Sequence, residues 1–352
     1  MPDTPEILEN YRKLNSFEKT LLQLLSVIYE PAHTTLVVSC LRKLEIKGPR
    51  GNRPTTANIN HYIGKFQSSG FLDDSRKCHP GIVELLSRKA VAENRFEQFS
   101  DVVRKEAPVS YYYGKWTTRC WRAMREMRIG IYSQNFEIID NAIEFLDTQC
   151  RDIVSELPPA VQVVTSPFNR GWFRTLPASF QFFLLNQILK FSGSQLRCFP
   201  EIIEYVKDET EFSNLSTDER LPFLRLLFNH YLLQGDLKAA DRIVDDHQDS
   251  FTATGATGSI AFLRGDYQKA QQEFSQDLES LSELSGSETT AFFGIPGLFH
   301  VLCEIRNTDR SRIHETAKQI SIALTLFEES DENDAYNFLA AVVNSKNAEQ
   351  DI

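Results

Sequence analysis

The chain has little that marks a chemical site. Its six cysteines (Cys40, Cys78, Cys120, Cys150, Cys198, Cys303) stand about 30 to 105 residues apart with no C-x-x-C pair. That spacing excludes a zinc ribbon and a dithiol redox motif. It reads as scattered free thiols in a reducing, cytoplasmic setting. The seven histidines (His33, His61, His79, His230, His247, His300, His314) are isolated from one another, and Cys78-His79 lacks a second pair at metal-ligand spacing. No G-x-G-x-x-G, H-E-x-x-H or G-x-S-x-G pattern occurs. The nearest approach to a phosphate loop, Gly48-Pro49-Arg50-Gly51-Asn52-Arg53, lacks the lysine and hydroxyl that a nucleotide and its magnesium require. The acidic run Glu328–Asp334 lacks the glycine and spacing of a calcium loop. The reading is therefore a non-enzymatic chain with no catalytic residue, metal or cofactor. Apolar runs such as Phe182-Phe183-Leu184-Leu185 fall far short of the roughly 18–20 residues that span a bilayer. The first residues lack a basic segment followed by an apolar one, so neither membrane nor secretion is expected.

What the chain does have is a divided charge. Residues 1–130 hold 21 Lys+Arg against 14 Asp+Glu, and the remainder holds 17 against 34. With 41% hydrophobic and 24% charged residues, the 352-residue chain reads as globular throughout. A basic front suits phosphate, because cations that neutralise a nucleic-acid backbone release its counterions. An acidic rear repels nucleic acid and suits a protein partner.

The front reads as three helices and a hairpin. Asn15 and Glu18 suggest a capping box, and Leu21, Leu22, Leu24, Leu25, Val27 and Ile28 follow at helical spacing until Pro31. Thr34 or Thr35 can start a second helix carrying Val37, Val38, Cys40, Leu41 and Leu44. A turn over 47–54 leads to a third helix from Thr55 or Thr56 to about Ser69. Its Ile59, Tyr62, Ile63 and Phe66 share an inward face, and its outward side carries Asn58, Asn60, His61, Gly64, Lys65 and Ser68. Residues 70–79 fit a short β-hairpin tipped by Asp73-Asp74-Ser75-Arg76-Lys77. This order is that of a winged helix. In that arrangement the third helix enters the major groove, where Asn and Lys read base edges. Arg50, Arg53, Arg76 and Lys77 would grip phosphates. The same module can dock protein instead, and both uses stay open here.

The rear reads as helical repeats. Leu232-Leu233-Gln234-Gly235-Asp236-Leu237-Lys238-Ala239-Ala240 matches Phe262-Leu263-Arg264-Gly265-Asp266-Tyr267-Gln268-Lys269-Ala270, with the two glycines 30 residues apart. Glycine ends one helix at positive φ, aspartate caps the next, Ala240 or Ala270 allows close approach, and Phe274 takes the next large inward position. Over about residues 222–280, and loosely from 117 to 345, the chain resembles tetratricopeptide repeats, whose concave surface binds protein or peptide. Ser133-Gln134-Asn135-Phe136 reads as a degenerate copy of the turn. The preceding Arg119, Arg122, Arg125 and Arg128 read as a solvated basic band. Val161-Gln162-Val163-Val164, between prolines, reads as a strand or an extended crossing segment.

The layout as a whole, from the winged-helix-like start through Cys78-His79-Pro80-Gly81, the arginine-bearing segment and the Gly-Asp pair to Phe292-Phe293-Gly294-Ile295-Pro296-Gly297-Leu298, resembles the region upstream of the motor in large bacterial Swi/Snf-type helicase-like ATPases. The resemblance implies an N-terminal, non-catalytic part of a longer protein whose motor hydrolyses ATP on duplex DNA. Expected partners are double-stranded DNA, a protein held by the repeats, and that motor in cis. The alternative is a stand-alone protein adaptor. The expected fold class is mainly α, with a winged-helix-like module over 1–92 and a connecting region over 93–177. Tetratricopeptide-like repeats over 178–345 and a frayed end over 346–352 complete it.

Overall fold

A computed structural model describes residues 4–109, 116–150, 158–208, 217–286, 292 and 294–307. The chain is mainly helical, with eighteen helices among the described residues. Their only strand-like pairing is an isolated antiparallel bridge between Leu72 and Cys78. The acidic run 328–334, the loose extension of the repeats to 345, Phe293 and the end 346–352 lie outside the described residues. Two compact units divide the chain, Met1–Leu184 and Leu185–Ile352.

The first unit is built around α2 (Ser16–Ile28), which packs against α5 (Pro80–Ala92), α6 (Phe96–Glu106) and α7 (Trp116–Tyr132). The Asn15 side chain accepts from the Glu18 amide at 2.9 Å while Glu18 accepts from the Asn15 amide at 3.1 Å, a complete capping box. All six leucine, valine and isoleucine positions read from the sequence are buried. Tyr29 ends the helix in the left-handed region, at φ 54°. α1 (Thr4–Arg12) lies against α5. α3 (Thr34–Lys43) and α4 (Thr56–Ser68) pack together. Thr55 caps α4 by accepting from the Asn58 amide at 3.3 Å, and Ile59, Ile63 and Phe66 point inward. His79 caps α5 through Nδ1, which accepts from the Gly81 amide at 3.1 Å.

Three expectations are corrected in this unit. The arginines of α7 are not a solvated band. Arg125 and Arg128 are fully buried, because α7 packs on α2 and on α9 (Pro159–Thr165) as well as on α8 (Phe136–Gln149). Arg128 forms a two-pronged pair with Glu84, both contacts at 3.0 Å, and donates to the Ser26 carbonyl and the Ser87 hydroxyl. The Tyr132 hydroxyl donates to the same carboxylate at 2.8 Å. Arg122 pairs with buried Glu30 at 2.8 Å. Second, 161–164 is part of a helix, α9 (Pro159–Thr165), with Pro159 in its first turn. The short valine run carries no period that separates a strand from a buried helical turn, and Val161, Val163 and Val164 are buried. Third, the cysteines are not all free. Cys120 and Cys150 form a disulfide, with Cα atoms 5.7 Å apart, because the antiparallel α7 and α8 bring the two ends of their hairpin together. α10 (Arg170–Arg174) follows α9, and α11 (Ala178–Ser194) runs out of the unit.

The second unit contains α12 (Pro200–Asp208), α13 (Thr217–Gln234), α14 (Leu237–Asp246), α15 (Gln248–Phe251), α16 (Ala256–Leu263), α17 (Tyr267–Ser285) and α18 (Gly294–Asn307). The two matched segments form two helix–turn–helix pairs with one local chemistry. Gly235 and Gly265 take φ of 70° and 82°, a conformation that L side chains adopt at a cost. Asp236 and Asp266 then cap α14 and α17, each accepting an amide at 3.2 Å. Ala240, Ala270 and Phe274 are buried, and the Tyr267 ring lies 5.4 Å from Phe262. Gly258 lets α16 approach α17 closely, since an added Cβ would stand 2.6 Å from the Phe274 ring. Gln134 and Asn135 of the first unit repeat the turn, at φ 55° and as the cap of α8.

His300 sits in this core against Phe274 and Phe292, at 5.1 and 5.5 Å. Burial holds its pKa down to about 4. The unfolded chain therefore takes up a proton near pH 6.5 that the folded chain refuses until about pH 4, so stability present above pH 6.5 is lost as the pH falls through that window. Thermal unfolding at pH 7 and pH 5 should differ by about 2 kcal/mol from this group, and His300→Phe should remove that part of the difference.

Candidate nucleic-acid interface

The turn before α4 is fixed by its own backbone. Gly48 donates to the Asn52 carbonyl and Gly51 to the Gly48 carbonyl, both at 2.8 Å. The Arg42 guanidinium donates to the Pro54 carbonyl at 3.3 Å. Arg50 and Arg53 stand on this turn exposed, without an ion pair among the described residues. Asn58, Asn60, His61, Lys65 and Ser68 all lie on the exposed side of α4. Gly64 leaves a clear gap between them, since an added Cβ would touch nothing within 4 Å.

The start of α3 faces this side. His33 gives it no side-chain cap, so its first amides are left open. The Thr34 hydroxyl donates to Asn60 Oδ1 at 2.5 Å, tying the two helices together. Between them lies an open cavity of about 460 Å³ lined by His33, Thr34, Thr35, Asn60, Gln67 and Arg76, among others, with no carboxylate in its wall. Arg76 reaches it because the hairpin turns sharply there, at φ 68°, and because the Ala32 amide donates to the Arg76 carbonyl at 3.1 Å. Asp73, adjacent to the tip, is turned into the hairpin, accepting from the Ser75 hydroxyl and the Lys77 amide.

Two of the expected cations are placed differently. Lys65 is held by Glu18 at 2.5 Å, so part of its charge is already answered within the unit. Lys77 is not at the tip. Its ammonium lies 3.3 Å from the centre of the Trp121 ring and 4.3 Å from that of Tyr29. The left-handed turn at Arg76 changes the direction of the chain between the two residues, so Arg76 lines the cavity while Lys77 lies on the α7 side. Ser68 turns back to donate to the Lys65 carbonyl at 2.9 Å.

The sequence reading missed His33, Thr34, Thr35 and Gln67 as cavity residues. The first three were legible as the start of α3, and Gln67 follows Asn60 by seven residues, two turns of α4. No thiol in this region is primed for chemistry, since burial pushes Cys40 and Cys78 up to about 12. No group of metal-binding residues is present among the described residues, and none of their helices is long and apolar enough to cross a membrane. No protein-family model, curated protein or solved structure matches the chain.

Proposed function

We propose that the first unit is a winged-helix-like module that binds double-stranded DNA, and that the repeat-like helical pairs of the second bind protein. The two together serve as a non-catalytic regulatory region. The single observation that carries the DNA reading is the cavity where the open amides of α3, Asn60 and Arg76 converge with no carboxylate in its wall. Helix amides and an arginine are suited to a phosphate. The exposed Asn58 and His61 on the next turns of α4 are suited to base edges. On the resemblance to the region upstream of a Swi/Snf-type motor, the partner in cis would be that motor, and DNA binding would be coupled to it. The setting on this reading is cytoplasmic, where the Cys120–Cys150 link would be an exception to the reduced state expected of thiols.

The triple variant Arg50→Gln, Arg53→Gln, Arg76→Gln tests the assignment. All three residues are exposed, so helical content should be unchanged. Affinity for a duplex at low salt should fall at least about tenfold with loss of three phosphate contacts. Equal affinity in parent and variant would remove this face from the account.

A second reading has its own observation. Lys65 and Lys77 are engaged inside the unit, which leaves α4 more polar than cationic. An adaptor that docks protein on both units would use such a face, and it would show no salt-sensitive affinity for DNA.

A further inference from the structure

A second cavity in the first unit shares no lining residue with the one at the start of α3. It measures about 430 Å³ and is formed by the start of α2, the turn after α3 and the start of α6. Phe17, Leu44, Ile46, Pro49 and Phe99 give it an apolar wall, in which the two phenylalanines are buried. Its charge comes from two cations, Arg95 and Lys47, and no carboxylate lines it. Arg95 precedes α6 without capping it, and its side chain reaches α2. There Nη1 donates to the Thr20 hydroxyl at 2.7 Å and to Gln23 Oε1 at 3.4 Å. Both acceptors are neutral and belong to buried residues, so they position the guanidinium without answering its charge. Glu93 approaches the same nitrogen at 3.3 Å, but the two side chains are 38% and 44% exposed, and a pair so open to water is weak. Every partner of Arg95 among the described residues is thus on Nη1, which leaves the Nε and Nη2 edge of the fork unpaired. Lys47 is exposed and has no ion pair among the described residues.

We propose that this cavity binds a small carboxylate with an apolar body. The free edge of Arg95 carries two N–H groups at the spacing of a carboxylate's two oxygens, the geometry of a two-pronged pair. Thr20 and Gln23 hold the guanidinium before any ligand arrives, so little side-chain freedom is lost on binding. Lys47 adds a second cation from the turn. With no acidic side chain in the wall, an anion meets attraction there and a cation meets repulsion. The apolar wall decides the rest of the ligand. An inorganic anion would leave Leu44, Ile46 and the two phenylalanine edges wet, and a nucleic-acid backbone would bring sugar against them. A hydrocarbon or aromatic body displaces that water, which is favourable. The volume and the mixture of an apolar wall with a few polar groups are those of small-molecule sites.

The test is equilibrium dialysis of the full chain against 2-naphthoate, followed by its fluorescence, with uncharged 2-naphthamide as the comparison. One saturable site per chain is expected for the carboxylate, and the amide should bind at least about tenfold more weakly. Arg95→Gln should weaken naphthoate binding about tenfold or more, and Lys47→Gln about two- to fivefold. Because Arg95 also holds Thr20, a second variant leaves it in place. Ile46→Asp puts a carboxylate into the wall from a half-buried turn position, and it should abolish binding while helical content stays at the parental level. Absence of saturable naphthoate binding, equal affinity for the amide, or parental affinity in Ile46→Asp would overturn the proposal. The measurement involves no DNA, so its failure leaves the reading of the α3 and α4 side untouched.

Discussion

Replacing Arg128 with Met is expected to destabilise the first unit by about 3–5 kcal/mol, the range for breaking a buried ion pair from one side. The guanidinium answers the buried Glu84 carboxylate through two contacts and satisfies the Ser26 carbonyl and the Ser87 hydroxyl as well. Methionine fills much of the volume but leaves Glu84 as a desolvated charge with only Tyr132 beside it. Glu84 would then have to take up a proton or draw in water. The double variant Arg128→Met, Glu84→Leu removes both charges and should be clearly more stable than the single one. Urea unfolding of the three proteins measures this. A double variant no more stable than Arg128→Met would mean that the other hydrogen bonds, not the buried charge, dominate the loss. The functional consequence is architectural. The pair joins α5 to α7, and α7 carries Trp121, so the platform behind the hairpin depends on it.

Removing the Cys120–Cys150 link by a double substitution to alanine is expected to cost about 3–4 kcal/mol, the loop-closure contribution of a crosslink spanning 30 residues. The bond closes the open end of the α7–α8 hairpin, whose other end is closed by the turn at Gln134 and Asn135. Trp116, whose indole donates to the Gln149 carbonyl at 2.6 Å, stands at the same end. Loss of the link should therefore loosen this end first. Thermal unfolding of the parent with and without reductant, beside the double variant, gives the comparison. Coincident transitions in all three would mean that the helix packing alone fixes the hairpin.

Much of the local structure was legible from residue patterns, and the reason is that its causes are local. The capping box at Asn15 and Glu18, the inward face of α4 and the two Gly-Asp turns each depend on residues within a few positions of one another. The errors share the opposite cause. The arginines of α7 find their partners at Glu84 and Glu30, 44 and 92 positions away, so a spacing of three along one helix suggested solvent where burial was possible. Cys120 and Cys150 looked unpaired because the pairing depends on how two helices fold back. The valines at 161–164 were ambiguous because four residues do not define a period. The candidate interface divides the same way. Its exposed Asn58, Asn60, His61, Arg50 and Arg53 follow from the helical wheel and the turn. The diversion of Lys77 toward Trp121 depends on a residue 44 positions further along and could not be read from the hairpin.

On this proposal Arg50, Arg53 and Arg76, which flank α4, grip DNA phosphates, and fluorescence anisotropy of a labelled duplex titrated with the purified chain at 50 and 150 mM salt tests that most directly. Three phosphate contacts, from Arg50, Arg53 and Arg76, should weaken binding roughly twentyfold between the two conditions. No binding at 50 mM salt, or binding that does not change with salt, would contradict the claim and leave the first unit as a protein-docking module.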